Sequence, residues 1–171
     1  MPTAWFNHVS IQAKDYEVSR RFYEELFGAI VVRTPNMGAP VYWFKIGELQ
    51  LHFYPTVKPG GEPMIETIPT YQHFALGVDD FPEFYYLARE RDVPEDISIW
   101  GYPLNVLPSG QVQYYVRDPT GNLIEINCKD ASTLPQDILD RANYLKDRFD
   151  QNADQLKAEL FLQQTKPASI K

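Results

Sequence analysis

The chain is poor in cysteine and has no dense cluster of basic residues. Cys128 is the only cysteine among 171 residues, so no disulfide can form within the chain, and a reducing cytoplasm is the expected compartment. The formal charge is −7, from 16 basic and 23 acidic residues. Because binding to nucleic acid or an anionic membrane surface depends on clustered positive charge, neither is expected as a partner.

Long hydrophobic runs are also missing. No stretch of about 18 apolar residues could span a bilayer, and the N-terminal residues have neither the basic nor the apolar region of a secretion signal. Hydrophobic residues nevertheless make up 44% of the chain and aromatic residues 14%, which is enough for a sizeable core. The length predicts one domain, or one domain with an extension.

An internal repeat is the strongest signal in the sequence. Residues 6–29 and 71–94 both open with an aromatic residue, an amide, a histidine and a short strand-like run. Each then reaches an acidic helix start and an amphipathic helix. His8 and His73 occupy the same place in the two units, 65 positions apart (73 − 8). Self-similarity of this kind predicts two copies of one supersecondary unit.

The first unit has the pattern of a βαβββ module. His8–Ala13 alternates like a half-buried strand, and Asp15 and Gly28 suit the start and end of the following helix. The apolar stripe predicted for that helix consists of Val18, Phe22 and Leu26. Three further strands are predicted at residues 30–33, 41–46 and 49–54.

The second unit repeats this order after a Pro/Gly-rich linker at residues 55–70. It starts at Tyr71, and Asp80 with Glu83 forms a predicted capping box. The predicted apolar face of its helix is Phe84, Leu87 and Ala88, and its strands are predicted at 97–100, 112–116 and 123–127. We therefore expect an α+β fold in which two βαβββ modules, about residues 5–56 and 70–128, form a curved, cleft-enclosing mixed sheet.

The character of the chain changes after Lys129. Residues 1–129 are the predicted paired domain, and residues 130–171 are a predicted amphipathic helical C-terminal extension that packs on its own domain or on a partner subunit. Pro135 is expected to open the first helix. Its predicted apolar stripe is Ile138, Ala142, Leu145 and Phe149, and a second segment carries Ala153, Leu156 and Leu160.

Candidate chemistry is concentrated in three histidines and one glutamate. His8 and His73 begin equivalent strands, and His52 lies on the polar side of the last strand of the first unit. Glu125 lies between Ile124 and Ile126, where an uncompensated carboxylate is costly to bury and a divalent cation would compensate it. Two imidazoles and a carboxylate form a common ligand set for Fe(II), Zn, Mn or Ni.

Four segments are similar to a known family. They are residues 7–10 (NHVS), 21–28 (RFYEELFG), 72–75 (QHFA) and 118–125 (DPTGNLIE). They resemble the vicinal-oxygen-chelate superfamily, which includes glyoxalase I, fosfomycin-resistance enzymes, bleomycin-binding proteins and extradiol dioxygenases. The resemblance covers about residues 5–128 and leaves the C-terminal extension outside.

The resemblance implies a metal site and a small-molecule substrate. By position, His8, His73 and Glu125 match the metal ligands of the family, and the ion would be Zn, Ni, Mn or Fe(II), with no organic cofactor. A fourth ligand would come from the last strand of the first unit, where we favour His52 over Gln50. In dioxygenases a histidine of this region acts instead as an acid/base. A homodimer is expected, and the cleft can lie within one chain or across the dimer.

Further side chains are candidates for the substrate pocket. Tyr115, ten residues before Glu125, resembles a tyrosine that binds a substrate oxygen in related enzymes, and it joins Glu125 and His52 as a candidate catalytic residue. The pocket candidates are Gln50, Tyr54, Trp43 and Tyr102, with Trp100 as a further aromatic residue.

Three functions are consistent with these residues. The favoured one is a metal-dependent lyase, isomerase or transferase, in which the metal chelates two vicinal substrate oxygens and stabilises an enolate- or alkoxide-like intermediate. The second is an Fe(II) extradiol ring-cleaving dioxygenase. The third is a protein that binds a small molecule, such as a drug, without catalysis.

Overall fold

The computed structural model describes residues 6–36, 40–56, 72–153 and 155–158. Most of the predicted linker at 55–70, together with Tyr71 and Leu160, lies outside these residues. The strands form two mixed sheets with few helices, which confirms the predicted α+β class and its two modules. We expected the two modules to form one curved sheet, and the structure divides their strands between these two sheets. Among the described residues no helix is long and apolar enough to cross a membrane.

The first module contains β1 (His8–Ala13), α1 (Tyr16–Phe27), β2 (Ile30–Val32), β3 (Tyr42–Ile46) and β4 (Leu49–Pro55). Its strand order is β1-β4-β3-β2. Strand β1 pairs in parallel with β4, and the other pairs are antiparallel. The helix makes the crossover that a parallel pair requires.

The second module contains β5 (His73–Gly77), α2 (Phe81–Glu90), β6 (Leu104–Val106), β7 (Val112–Arg117) and β8 (Leu123–Cys128). It has the same topology, with β5 parallel to β8. A fifth strand, β9 (Asn143–Tyr144), comes from the C-terminal extension and pairs in parallel with β6, giving the order β5-β8-β7-β6-β9.

The predicted helix caps are confirmed. The carboxylate of Asp15 accepts a hydrogen bond from the backbone N–H of Val18 at 3.0 Å, and that of Asp80 accepts one from Glu83 at 2.9 Å. Gly28 ends α1 with a φ of 60°, in the left-handed region that glycine enters without steric cost. These caps satisfy backbone groups that each helix end leaves free.

The buried face of α1 is not the one that we predicted. Ser19 and Tyr23 are the buried residues of this helix, Phe22 and Leu26 are only half-buried, and Val18 is exposed. Tyr23 is fully buried because its ring packs on Phe53 and its hydroxyl finds a hydrogen-bond partner in the second module. Counting only aliphatic and phenylalanine positions therefore placed the stripe one residue away from its true centre.

The predicted strand at 97–100 is wrong, because these residues form turns and the third strand of the module is β6. Both ends of this turn segment are fixed to β7. The backbone N–H of Asp96 donates to the Tyr115 carbonyl at 2.9 Å, and the Tyr115 N–H donates to the Pro103 carbonyl at 2.8 Å. Gly101, with a φ of 80°, allows the chain to reverse between them.

The C-terminal extension is less helical than expected. Its described part contains the short helix α3 (Gln136–Leu139), 3-10 turns at Ala131–Thr133, Leu145–Asp147 and Gln155–Lys157, and strand β9. No long helix runs from Pro135 to Phe149. Ile138 and Leu145 are nevertheless buried, as the predicted stripe required, whereas Phe149 is 47% exposed.

The turn at residues 118–122 fastens the two modules together. One carboxylate oxygen of Asp118 accepts hydrogen bonds from the backbone N–H groups of residues 120, 121 and 122, at 2.8 to 2.9 Å. The other accepts from the Tyr23 hydroxyl of α1 at 2.9 Å and from the side chain of Asn122 at 2.7 Å. The same Asn122 amide donates to the Gln12 carbonyl of β1. The 118–122 turn therefore holds the two modules together, and it also precedes β8, the strand that carries Glu125.

Candidate functional site

Glu125 is a buried carboxylate held by several donors. It lies on β8 and is 3% exposed. Its Oε1 accepts hydrogen bonds from Gln113 at 2.9 Å and Asn127 at 2.7 Å, and its Oε2 accepts one from the Tyr115 hydroxyl at 2.8 Å. Burial, together with the Glu125 charge, raises the pKa of Tyr115, so this phenol stays protonated at neutral pH. The carboxylate is therefore held in one orientation.

His73 lies beside Glu125, and we call these two residues the His73 and Glu125 group. The Nε2 of His73 lies 3.0 Å from Glu125 Oε2, and its ring makes an edge contact with Tyr115. The imidazole is partly exposed, with 31% of its side chain accessible, whereas the Glu125 side chain is only 4% accessible. The pair therefore presents one nitrogen and one oxygen donor close together, with solvent access on the His73 side.

A second group, formed by His8 and His52, lies on the first module. His52 is 5% exposed and lies between two rings, with His8 at 4.2 Å and 16° on one side and Trp43 at 4.5 Å and 9° on the other. Its Nε2 is 2.8 Å from the Gln50 side-chain oxygen. Burial and the neighbouring His8 lower the pKa of His52, so its neutral form is favoured at neutral pH. A neutral imidazole can bind a metal or accept a proton.

Strand register shows that the two groups are related by the internal repeat. His8 lies opposite Gln50 on β4, and His73 lies opposite Leu123 on β8. Two residues further along, His52 and Glu125 therefore occupy equivalent positions. Their partners across the antiparallel pairs are Trp43 and Tyr115. Each module thus contributes a histidine at the start of its first strand and a potential ligand at the centre of its last strand.

The two groups remain separate within one chain. In the described ranges, no group of three or more His, Cys, Asp or Glu side chains could hold a metal ion. The turn at residues 118–122 joins the two modules at the other end of β1. It fixes Asn122, next to the start of β8, against Gln12, and His8 is four residues away along β1, a distance of about 13 Å for an extended strand. The structure thus pairs His73 with Glu125 and His8 with His52, and it does not bring the predicted three ligands together.

The residues predicted to line the substrate pocket are likewise divided between the two modules. Gln50, Trp43 and Tyr54 lie with the His8 and His52 group on β3 and β4. Tyr102 lies in the turn segment before β6 and is 49% exposed.

Gln113 and Asn127 were missed by the sequence analysis, although they hold Glu125. The signal that could have found them is the alternation of β7 and β8, which places residues 113 and 115 on the face of residues 125 and 127.

The family model of the Glyoxalase/Bleomycin resistance protein/Dioxygenase superfamily matches residues 5–126. The chain belongs to this superfamily. Residues 127–171, which include the C-terminal extension, lie outside the match. A search of curated proteins finds no match.

Solved structures of the superfamily share the fold at low identity. Lactoylglutathione lyase from Agrobacterium tumefaciens is 22% identical, with a TM-score of 0.54, over 74% of this chain and 95% of that one. The fosfomycin resistance protein FosX from Listeria monocytogenes is 17% identical, with a TM-score of 0.56, over 86% of this chain and 100% of that one. The oxidase ChaP-H2 is 24% identical, with a TM-score of 0.56, over 76% and 99%. These proteins are named for different functions, so the fold alone does not select one.

Proposed function

We propose that the protein is a metal-dependent enzyme that acts on a small molecule with two adjacent oxygen atoms. Its ligands are His8, His73 and Glu125, with His52 as the fourth. The observation that carries the proposal is the 3.0 Å separation of His73 Nε2 and Glu125 Oε2. Two donors about 2.1 Å from one ion and at right angles to each other lie about 3 Å apart, so this pair fits one metal ion.

The surroundings of Glu125 support the same role. Ligating carboxylates are themselves hydrogen-bonded, which fixes their orientation towards the ion. Here Gln113, Asn127 and Tyr115 supply three such bonds to a side chain that is almost fully buried. Nitrogen and carboxylate oxygen donors suit Zn, Ni, Mn or Fe(II). The ion would supply Lewis-acid chemistry, polarising the substrate oxygens and stabilising negative charge.

A homodimer would complete the site. The site face of β1 carries the exposed His8 and Ser10, and that of β5 carries the exposed His73 and Ala75. Since one chain keeps its two groups apart, the His8 and His52 group of one copy would meet the His73 and Glu125 group of another. Each dimer would then contain two equivalent sites.

The register favours a lyase, isomerase or transferase over an oxygenase. His52 occupies the position equivalent to Glu125, so the repeat offers two ligands from each module. Four protein ligands leave about two positions of an octahedral ion, enough for a bidentate substrate and too few for O₂ as well. In this reaction class Glu125 moves a proton, while the hydrogen bond from Tyr115 holds its carboxylate in place.

The second candidate is an Fe(II) ring-cleaving dioxygenase. The contact that favours it is the hydrogen bond of His52 Nε2 to Gln50, because a nitrogen engaged with an amide is not engaged with a metal. His52 would then be the acid/base and the ion would keep more open positions. Rapid O₂ uptake by Fe(II)-reconstituted protein with a panel of catechols would select this candidate over the first.

The proposal is tested by metal content. His73→Ala and Glu125→Gln should each lose bound metal, because removing one ligand weakens chelation and leaves its buried partners unmatched. Glu95→Gln is the matched control, since Glu95 is a partly buried, hydrogen-bonded carboxylate outside the site. Elemental analysis after dialysis against Zn²⁺ measures the ratio of metal to chain. Full occupancy in both site variants would refute the assignment and favour a protein that binds small molecules without metal.

A further inference from the structure

Four carboxamide side chains form a row across the second module, beside Glu125. They are Asn127 on β8, Gln113 on β7, Asn105 on β6 and Asn143 on β9, and each lies opposite the next in the strand register. Residues two apart on a strand share a face of the sheet, so this row lies on the same face as Glu125 and Tyr115. The row therefore borders the candidate site.

The amide nitrogens of this row already donate to other groups of the protein. Gln113 and Asn127 both donate to Glu125 Oε1, at 2.9 and 2.7 Å. Asn143 donates to Asn105 Oδ1 at 2.8 Å, and Asn105 donates to a backbone carbonyl at 3.0 Å. Because the nitrogen of an amide is its donor, Glu125 fixes the Gln113 amide with its oxygen directed away from the carboxylate. Among the described residues, none donates a hydrogen bond to Gln113 Oε1.

Gln113 Oε1 is accessible from the site face of the sheet. Gln113 is half-buried, whereas Val112 and Tyr114, which flank it on the other face of β7, are fully buried. In the described part of the chain three unpartnered side-chain atoms are fully enclosed, and Gln113 Oε1 is not one of them. Two strands away, on β5, the site face carries the small exposed residues Ala75 and Gly77, which leave room above the sheet. A ligand can therefore approach this oxygen.

We propose that Gln113 determines substrate specificity by accepting, through Oε1, a hydrogen bond from a hydroxyl or amino group of the substrate. The inference rests on the proposed function, because the substrate is the molecule chelated by the metal beside Glu125. Gln113 bonds one oxygen of this carboxylate and His73 lies 3.0 Å from the other, so the acceptor is one side chain away from the ion. An anionic substrate oxygen at this place would leave both acceptors unpaired.

The substrate class follows from this acceptor. It is a small molecule that chelates the metal through two adjacent oxygens and carries a further hydroxyl or amino group as a hydrogen-bond donor. A substrate that lacks this donor would leave Gln113 Oε1 to water and would gain nothing from it.

The orientation of the Gln113 amide is tested on metal-free, ¹⁵N-labelled protein by its side-chain NH₂ resonances. The signal pair that disappears in Gln113→Met identifies this amide. Glu125→Gln removes the charge that the amide contacts, so the pair should shift. Glu95→Gln should leave it in place, because Glu95 contacts Tyr114 and Arg141 instead. A pair that Glu125→Gln does not move would overturn the orientation of the amide, and the proposal with it.

The hydrogen bond to the substrate is tested with lactate and glycerate on zinc-loaded protein. Both acids chelate through a carboxylate and a 2-hydroxyl, and glycerate has one further hydroxyl on the methyl carbon. The wild type should bind glycerate about fivefold more tightly than lactate, the effect of one net hydrogen bond. In Gln113→Met this ratio should fall to about one, even where zinc is held less tightly, because both acids need the same ion. Isothermal titration calorimetry measures both affinities.

Gln136→Met is the matched control for this measurement. The Gln136 amide also donates to a carboxylate, that of Asp140 at 2.8 Å, and this variant should keep the wild-type preference for glycerate. The inference alone would be refuted if the zinc-loaded wild type bound neither acid or bound both equally. A preference that Gln113→Met retains, or that Gln136→Met also loses, would refute it as well. A wild type that binds no zinc would refute the proposed function, and this inference with it.

Discussion

The hydrogen bond between Tyr23 and Asp118 offers a sharp test of how the modules are joined. Tyr23→Phe removes one hydroxyl and keeps a ring that is fully buried. The bond runs to a buried carboxylate at 2.9 Å, and hydrogen bonds to charged groups contribute about 1.5–3 kcal/mol. Asp118 retains four other donors, so we expect the lower end, about 1.5 kcal/mol. For a chain of this length that corresponds to a decrease in Tm of about 3–6 °C.

Urea denaturation and thermal melting would measure this change. Tyr102→Phe is the control, because the Tyr102 side chain is half exposed and its loss should change the free energy of unfolding by less than about 0.5 kcal/mol. A double-mutant cycle with Asp118→Asn isolates the pair, and the coupling energy should be about 1 kcal/mol or more. If Tyr23→Phe were as stable as the wild type, the 118–122 turn would not hold α1 through this hydrogen bond.

Two further predictions concern the turn segment and the site. Burial acts to raise the pKa of Asp96, but hydrogen bonds from Ser98 and Arg117 outweigh it and lower that pKa. The ionised Asp96 carboxylate therefore stabilises the fold at pH values above the ordinary Asp pKa. This stabilisation is lost as the pH falls through the lowered pKa of the folded protein. Asp96→Asn should therefore decrease the free energy of unfolding by about 1–2 kcal/mol at pH 7, and a difference that did not shrink in urea titrations towards pH 3 would contradict this. His52→Ala should weaken metal binding if His52 is a ligand, whereas unchanged metal content with lost turnover would identify it as the acid/base of the dioxygenase candidate.

The sequence predicted most of the modules because their signals are local. Caps depend on a single side chain and a few neighbouring N–H groups, so Asp15, Gly28 and Asp80 could be assigned from the sequence. Five of the six strands predicted after the helices were found, since alternation or a β-rich run fixes them. The exception, at 97–100, has strand-like residues but is held as turns by bonds to Tyr115, a tertiary constraint that no local pattern contains.

The rest depended on contacts between distant segments. The periodicity of Ile138 and Leu145 predicted their burial correctly, but β9 forms only because the edge of β6 is available for pairing. The geometry of the candidate site also depends on contacts between distant segments. Histidine spacing revealed His8 and His73 as equivalent positions, but the separation of the two groups is set by how the modules pack. The positions of Gln113 and Asn127 around Glu125 likewise follow from strand register.

The most direct test of the central claim mixes two defective proteins. His8→Ala and Glu125→Gln should each bind no zinc alone. Refolded together in equal amounts, half of the dimers would pair the two variants, and each such dimer would contain one intact site, with His8 from one copy and His73 and Glu125 from the other. Elemental analysis should then find about 0.25 zinc ion per chain. A mixture without zinc, from a wild-type protein that binds it, would contradict a site shared between two copies.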